Sequence, residues 1–228
     1  MLVGIHQLHY LPWLRYFEKI ARCDVFIVLD DIQFTKNDWQ NRNKVKTASG
    51  VALLTVPVLE HLGQSLGDVR IKRDAPWRRK HWRTIEQAYR KAPFLAAHAA
   101  FLDETYGRDW ALLNELNRHM LEYFVRALGI DTRLVYASGL DVPGKASDRL
   151  VDLVRAVGGD CYYSGAYAAQ AYLDTRLFER AGIGLKLQQW AAPSYAQLHG
   201  EFVPDLAVVD LLLNCGPASL GILMGVAP

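Results

Sequence analysis

The sequence predicts an α/β fold: a single Rossmann-like parallel sheet of about six strands with a helical insertion in the middle. Three observations predict it. Short apolar runs recur along the chain, most of the segments between them repeat apolar residues at three and four, and the middle third carries helical spacing with no strand. On this reading residues 1–228 form one α/β domain, with 76–128 as the insertion.

Each element follows from local pattern. The strand candidates are Leu2–His6, Val25–Leu29, Val51–Val58, Arg133–Ala137, Cys161–Ser164 and Leu185–Gln189. Behind the first, Trp13, Leu14, Phe17, Ile20 and Ala21 share a helical face, with Pro12 where an opening turn tolerates it. Strand, helix, strand within some thirty residues is a βαβ opening, which implies parallel strands and a right-handed crossover. From Pro76 to Leu128 the spacing gives three helices, broken near Ala92-Pro93 and Gly107 and stopped at Gly129. Alternation then resumes with helices over 147–157 and 168–181, the latter ending at Gly182.

Bulk properties exclude several classes. Hydrophobic residues make up 51% and charged residues 22%, a globular balance. Twenty-six basic residues face 24 acidic ones, too even for a DNA binder. Three cysteines without CxxC spacing argue against a zinc site or a disulfide framework. The N-terminus lacks a signal-peptide pattern and no stretch is apolar enough to span a bilayer, so a cytoplasmic protein without a membrane span is expected.

Polar residues cluster where strands end. His6 and His9 follow the first strand, at a loop meeting a helix N-terminus, where imidazoles can bind phosphate. The second strand empties into Asp30 and Asp31, which can hold Mg²⁺, orient an amine or accept its proton. Lys36, Arg42 and Lys46 in the loop that follows suit phosphates, and Trp13 and Trp39 suit a base or sugar ring. His6, Asp30, Asp31, Arg42 and Asn43 are expected to share one cavity. Ser164 and Gly165 follow a later strand and can close over a nucleotide, while Asp210 and Asn214, four apart, share a helix face that is otherwise apolar and so require partners. Cys215 beside them reads as a nucleophile or as inert packing. The run Trp77-Arg78-Arg79-Lys80-His81-Trp82-Arg83 reads either as a solvated helix face or as a clamp for a phosphate or an acidic carrier.

Taken together, these motifs resemble a known family. IHQ-x-x-Y-x-PW-x-x-YF-x-K-I, DVF-x-x-LDD-x-QF-x-K and W-x-NRN-x-x-K, then LTVPV, YYSG and DLLLNCGP, resemble the WbqC-like proteins over essentially the whole chain. His9 stands where many relatives carry asparagine, which moves the centre of the implied site to His6 and Gln7. The family is associated with bacterial cell-surface polysaccharide gene clusters. The resemblance implies a transferase acting on amino sugars or similar amines, adding an amino-acid-derived acyl group. A weaker, pattern-level resemblance is to adenylyl-transferring α/β enzymes with an HxGH-type first loop, such as the pantothenate synthetases. It runs through Gly4 to His9, Cys23 to Val28, Gln33-Phe34, Tyr163 to Gly165 and Tyr172-Leu173, and lacks the motif's middle glycine.

The expected function is therefore a transferase or ligase that forms an amide on an amino sugar or related amine, the acyl group being either activated as an adenylate, with ATP and Mg as cofactors, or delivered already activated. His6, Asp30 and Asp31 are the expected catalytic residues. Gln7, His9, Tyr10, Trp13, Gln33, Lys36, Trp39, Arg42, Asn43, Lys46, Ser164, Gly165, Asp210 and Asn214 are the expected binding residues. The expected partners are a small-molecule amine or a nucleotide-linked sugar, and an acyl or aminoacyl carrier. A nucleotidylyltransferase acting on a small phosphorylated substrate and a non-catalytic carrier-binding module remain as alternatives.

Overall fold

The structure is a computed structural model that describes residues 1–166, 171 and 173–226. Its strands are β1 (Leu2–Gln7), β2 (Val25–Leu29), β3 (Arg42–Thr47), β4 (Gly50–Thr55), β5 (Val58–Leu59), β6 (Arg70–Ile71), β7 (Arg133–Tyr136), β8 (Cys161–Gly165) and β9 (Gly184–Gln188). Its α-helices are α1 (Leu14–Ala21), α2 (Trp77–Tyr89), α3 (Leu95–Gly107), α4 (Leu113–Ala127), α5 (Ala146–Ala156), α6 (Thr175–Arg180), α7 (Val208–Cys215) and α8 (Ser219–Leu223). They fall into two compact units: residues 1–7, 18–31 and 131–191, and residues 8–17, 32–130 and 192–228.

The first unit holds a five-stranded parallel sheet in the order β7-β2-β1-β8-β9. Val, Ile, Leu and Phe fill β2 because a parallel strand is buried on both faces. Val3, Ile5, Val25, Ile27, Val151, Val154, Tyr162 and Phe178 make the core. Gly4 is required in β1: a Cβ there would lie 2.8 Å from both Cys23 Sγ and the Phe26 ring. Helix α6 is capped by Asp174, whose carboxylate accepts the Arg176 amide, and the chain turns out of it at Gly182 with φ +69°. Of the helix expected over 168–181, Thr175–Arg180 is the α-helix among the described residues, and Tyr172 lies outside them.

The α/β class with a parallel sheet is as expected, but one assignment changes. The apolar run at Val51–Val58 is not a sixth strand of the main sheet. Its first part is β4, paired antiparallel with β3 in register Arg42↔Thr55 through Thr47↔Gly50, and Val58 begins a separate small pair with β6. The segment expected as a loop around Arg42 and Lys46 is therefore largely a strand.

The second unit packs this hairpin with α2, α3, α4, α7 and α8. Its buried residues include Tyr10, Phe17, Leu66, Ile85, Tyr89, Met120, Phe124 and Leu211. The three helices expected between 76 and 128 are present. Helix α4 ends as the sequence suggests: Gly129 takes φ +71°, and the Ile130 amide reaches back to the Val125 carbonyl.

Candidate active site at the carboxyl edge of the sheet

In the first unit the chain leaves β1 toward β2 and β7 on one side, and later occupies β8 and β9 on the other. The order of strands therefore reverses between β1 and β8, and open α/β sheets bind ligands at the carboxyl ends of the strands at such a point. Here the two strands also part. Their pairing runs from Leu2↔Cys161 to Gly4↔Tyr163 and stops, whereas β1 stays paired with β2 as far as Gln7↔Leu29. Beyond the break, His6 and Gln7 belong to one strand end, and Ser164 and Gly165 to the other. Among the described residues, a Cβ built on Gly165 would meet nothing within 4 Å, so none of them crowds the backbone there.

Two side chains of α1 occupy the region where pairing ends. Lys19 is buried, and its ammonium donates to the Ile5 carbonyl at 2.9 Å. Burial pulls its pKa down from 10.5 to about 8, although Cys23 and Glu18 oppose the shift. Glu18, 1% exposed, accepts from Gln188 Nε2 at 2.5 Å, Arg22 Nε at 3.0 Å and the Tyr163 hydroxyl at 3.4 Å. The same packing pushes the Tyr163 phenol up to about 12, burial first and Glu18 second, so it donates rather than ionises. Glu18, Lys19, Tyr163 and Gln188 were not among the residues expected from sequence. Glu18 falls with Leu14, Phe17 and Ala21 on the apolar face of α1, and a carboxylate at that spacing is the signal that could have found it.

The remaining expected residues of this unit are already engaged. The His6 Nδ1 lies 3.1 Å from the Gln7 carbonyl. Asp30, 2% exposed, accepts the Ser138 amide at 3.0 Å and the Ser138 hydroxyl at 2.7 Å. Asp31 holds Arg149 through a two-point ion pair of 3.0 and 2.5 Å. Both carboxylates thus fasten the strand end to segments over one hundred residues later. Ser164 is fully buried, with its hydroxyl 3.3 Å from the Gly165 carbonyl.

Within the second unit, several expected residues form its framework. Asn43 is buried and donates to the carbonyls of Leu11 at 2.6 Å and Tyr10 at 3.4 Å, which braces Leu11 at φ +45°. His9, 1% exposed, packs edge-on against Trp13 and tilted against Tyr16, with ring centroids 5.3 and 5.6 Å away, and burial lowers its pKa to about 3. It is neutral at physiological pH and brings no charge to a phosphate. Tyr10 hydrogen-bonds His81 and Tyr106 at 2.9 and 2.6 Å. Trp13 packs edge-on against Trp39, over which Lys44 and Arg42 sit at 5.3 and 5.9 Å.

Lys36 pairs with Glu60, Arg42 bonds Asn37, and Gln33 bridges Ser65. Lys46 is buried and donates to Gln197 and to the Gly200 and Glu201 carbonyls. Asp210 is fully buried between the hydroxyls of Tyr89 and Tyr195, both at 2.7 Å, and Asn214 donates to the Asp210 carbonyl one turn back. Burial, with a smaller contribution from Asp210, pushes the Cys215 thiol up, which favours packing over nucleophilicity. His6, Asp30 and Asp31 thus belong to the first unit, and Arg42 and Asn43 to the second.

No three His, Cys, Asp or Glu side chains among the described residues are grouped to hold a metal, and none of their helices is long and apolar enough to cross a membrane. The family model described as the WbqC-like protein family matches residues 7–222. An uncharacterized protein of Mycobacterium tuberculosis, Rv1507c, is 35% identical over 218 residues, covering 94% of each chain. No solved structure matches. The chain belongs to the WbqC-like protein family.

Proposed function

We propose that the chain is a transferase or ligase that forms an amide on the amine of an amino sugar or a related small molecule, in cell-surface polysaccharide or secondary-metabolite biosynthesis. The observation that carries the reading is the parting of β1 and β8 beyond Gly4↔Tyr163 at the point where strand order reverses. Such a crevice suits a flat or phosphorylated ligand lying across strand ends.

In the proposed step the amine lone pair attacks the carbonyl carbon of an activated acyl group. The C–N bond forms, the bond from that carbon to its leaving group breaks, and the amine proton passes to the His6 imidazole. Gln7 orients the acyl group, Ser164 acts as a positioning residue through its hydroxyl at the Gly165 carbonyl, and Gly165 admits the close approach of a phosphate. Asp30 and Asp31 act as positioning residues through Ser138 and Arg149. Lys19 supplies positive charge beneath the crevice. Where the acyl group is activated with ATP, magnesium fits as an ion carried by the nucleotide's phosphates, because both aspartates are already committed.

The test is product analysis by mass spectrometry, with purified protein incubated with ATP, a carboxylic acid and UDP-linked amino sugars, and in parallel with acyl-CoA donors. Amide formation that His6→Ala abolishes without unfolding the chain supports the reading. Pyrophosphate release with no amine requirement replaces it with nucleotidyl transfer. No turnover with either donor overturns it.

A further inference from the structure

We infer that a cavity in the second unit, opening on α2 and the end of α3, is a binding site for a small zwitterion of the amino-acid class, carrying an ammonium, a carboxylate and an apolar or aromatic side chain. The cavity encloses about 440 Å³ and is lined by Arg73, Arg78, Arg79 and Trp82 together with Asp74 and Asp103. It shares no residue with the proposed active site, so the two proposals stand or fall separately.

The distribution of charge selects the ligand. Asp109 binds both Arg73 and Arg78, and Arg78 also donates to the Arg108 carbonyl at 2.6 Å. Those two guanidiniums are fixed in place and partly neutralised. Among the described residues, the side chains of Arg79, Asp74 and Asp103 make no hydrogen bond or ion pair. One cation and two carboxylates therefore line the same concavity without pairing with each other. A bare anion would gain Arg79 but face both carboxylates, and a bare cation would meet three guanidiniums. A ligand bearing both charges satisfies both sets, with charge-assisted hydrogen bonds at each end.

The position of the arginines adds to this. Arg78, Arg79 and Lys80 occupy the first turn of α2, where the helix dipole disfavours cations, and that turn carries no acidic residue and no side-chain cap of its own. A carboxylate delivered by a ligand completes that helix end. Trp82 is half-buried in the wall and offers a face for an apolar or aromatic side chain. The run from Trp77 to Arg83 thus divides along the helix: Trp77 and His81 pack inward, while Arg78, Arg79 and Trp82 face the cavity.

The experiment is calorimetric titration of the full chain with three matched probes: L-phenylalanine, phenethylamine, which lacks the carboxylate, and 3-phenylpropanoate, which lacks the ammonium. L-phenylalanine is expected to bind at least about tenfold more tightly than either truncated probe, since each of them lacks one of the two charged contacts. Arg79→Gln should weaken L-phenylalanine and 3-phenylpropanoate by about tenfold and leave phenethylamine unchanged. Asp103→Asn should do the reverse for the two truncated probes. Both residues are exposed, so the variants keep the fold. Equal binding of all three probes, no effect of Arg79→Gln on L-phenylalanine, or no heat at millimolar concentration would each overturn the assignment.

Discussion

Replacing Lys19 with Met tests the electrostatics of the crevice, because the lysine is both buried and charged. Burial lowers its pKa from 10.5 to about 8, which corresponds to roughly 3 kcal/mol. The sign follows from proton binding. Between pH 8 and 10.5 the unfolded chain still holds the proton that the folded chain has released, so stability rises with pH across that window. Below pH 8 the full penalty is present, and above 10.5 it is relieved. Lys19→Met removes the charge and, with it, this pH dependence. It also costs a constant amount, because the Ile5 carbonyl loses its 2.9 Å donor. The assay is urea unfolding of both proteins from pH 7 to 11, plotted as wild type minus variant, which cancels the titration of other groups. The difference should climb by about 3 kcal/mol between pH 8 and 10.5. A flat difference curve, or one that falls, would refute the burial of a charged lysine at this point.

Three further outcomes follow from the contacts. Asp30→Ala, which strands the Ser138 amide and hydroxyl, should cost roughly 2–4 kcal/mol in urea unfolding, and Asp30→Asn only about 1 kcal/mol because an acceptor remains; equal losses would argue against an anchoring role. Asp210→Ala leaves the Tyr89 and Tyr195 hydroxyls without their acceptor and should lower stability by roughly 2–4 kcal/mol, read as a drop in Tm. Gly216→Ala combines a φ of +50° with a Cβ 2.4 Å from the Phe94 ring and should cost more than about 2 kcal/mol; a neutral effect would contradict the packing at the end of α7.

Much of the main sheet was legible because parallel strands announce themselves as apolar runs. The apolar run Val25–Leu29 coincides with β2, and the runs at β1, β7, β8 and β9 match the strands to within one residue at each end. Strand β3 was not, since Arg42-Asn43-Lys44-Val45-Lys46-Thr47 carries almost no hydrophobic signal. It is nevertheless well buried, because Asn43 and Lys46 are satisfied by carbonyls of Tyr10, Leu11, Gly200 and Glu201. Hidden satisfaction of this kind cannot be seen from local pattern. The same reason governs the site. Strand ends pointed to His6, Gln7, Ser164 and Gly165, but Asp30 and Asp31 read as open carboxylates because their partners, Ser138 and Arg149, are more than a hundred residues away. Gln188 reaches Glu18 across 170 residues.

The central claim is that the ligand lies where β1 and β8 part. The most direct measurement is difference electron density from crystals grown with ATP and with a UDP-linked amino sugar. Density across the strand ends, within hydrogen-bonding reach of His6 and Gln7 and passing close to Gly165, is the expected result. An empty crevice with either ligand bound elsewhere on the chain would contradict the account.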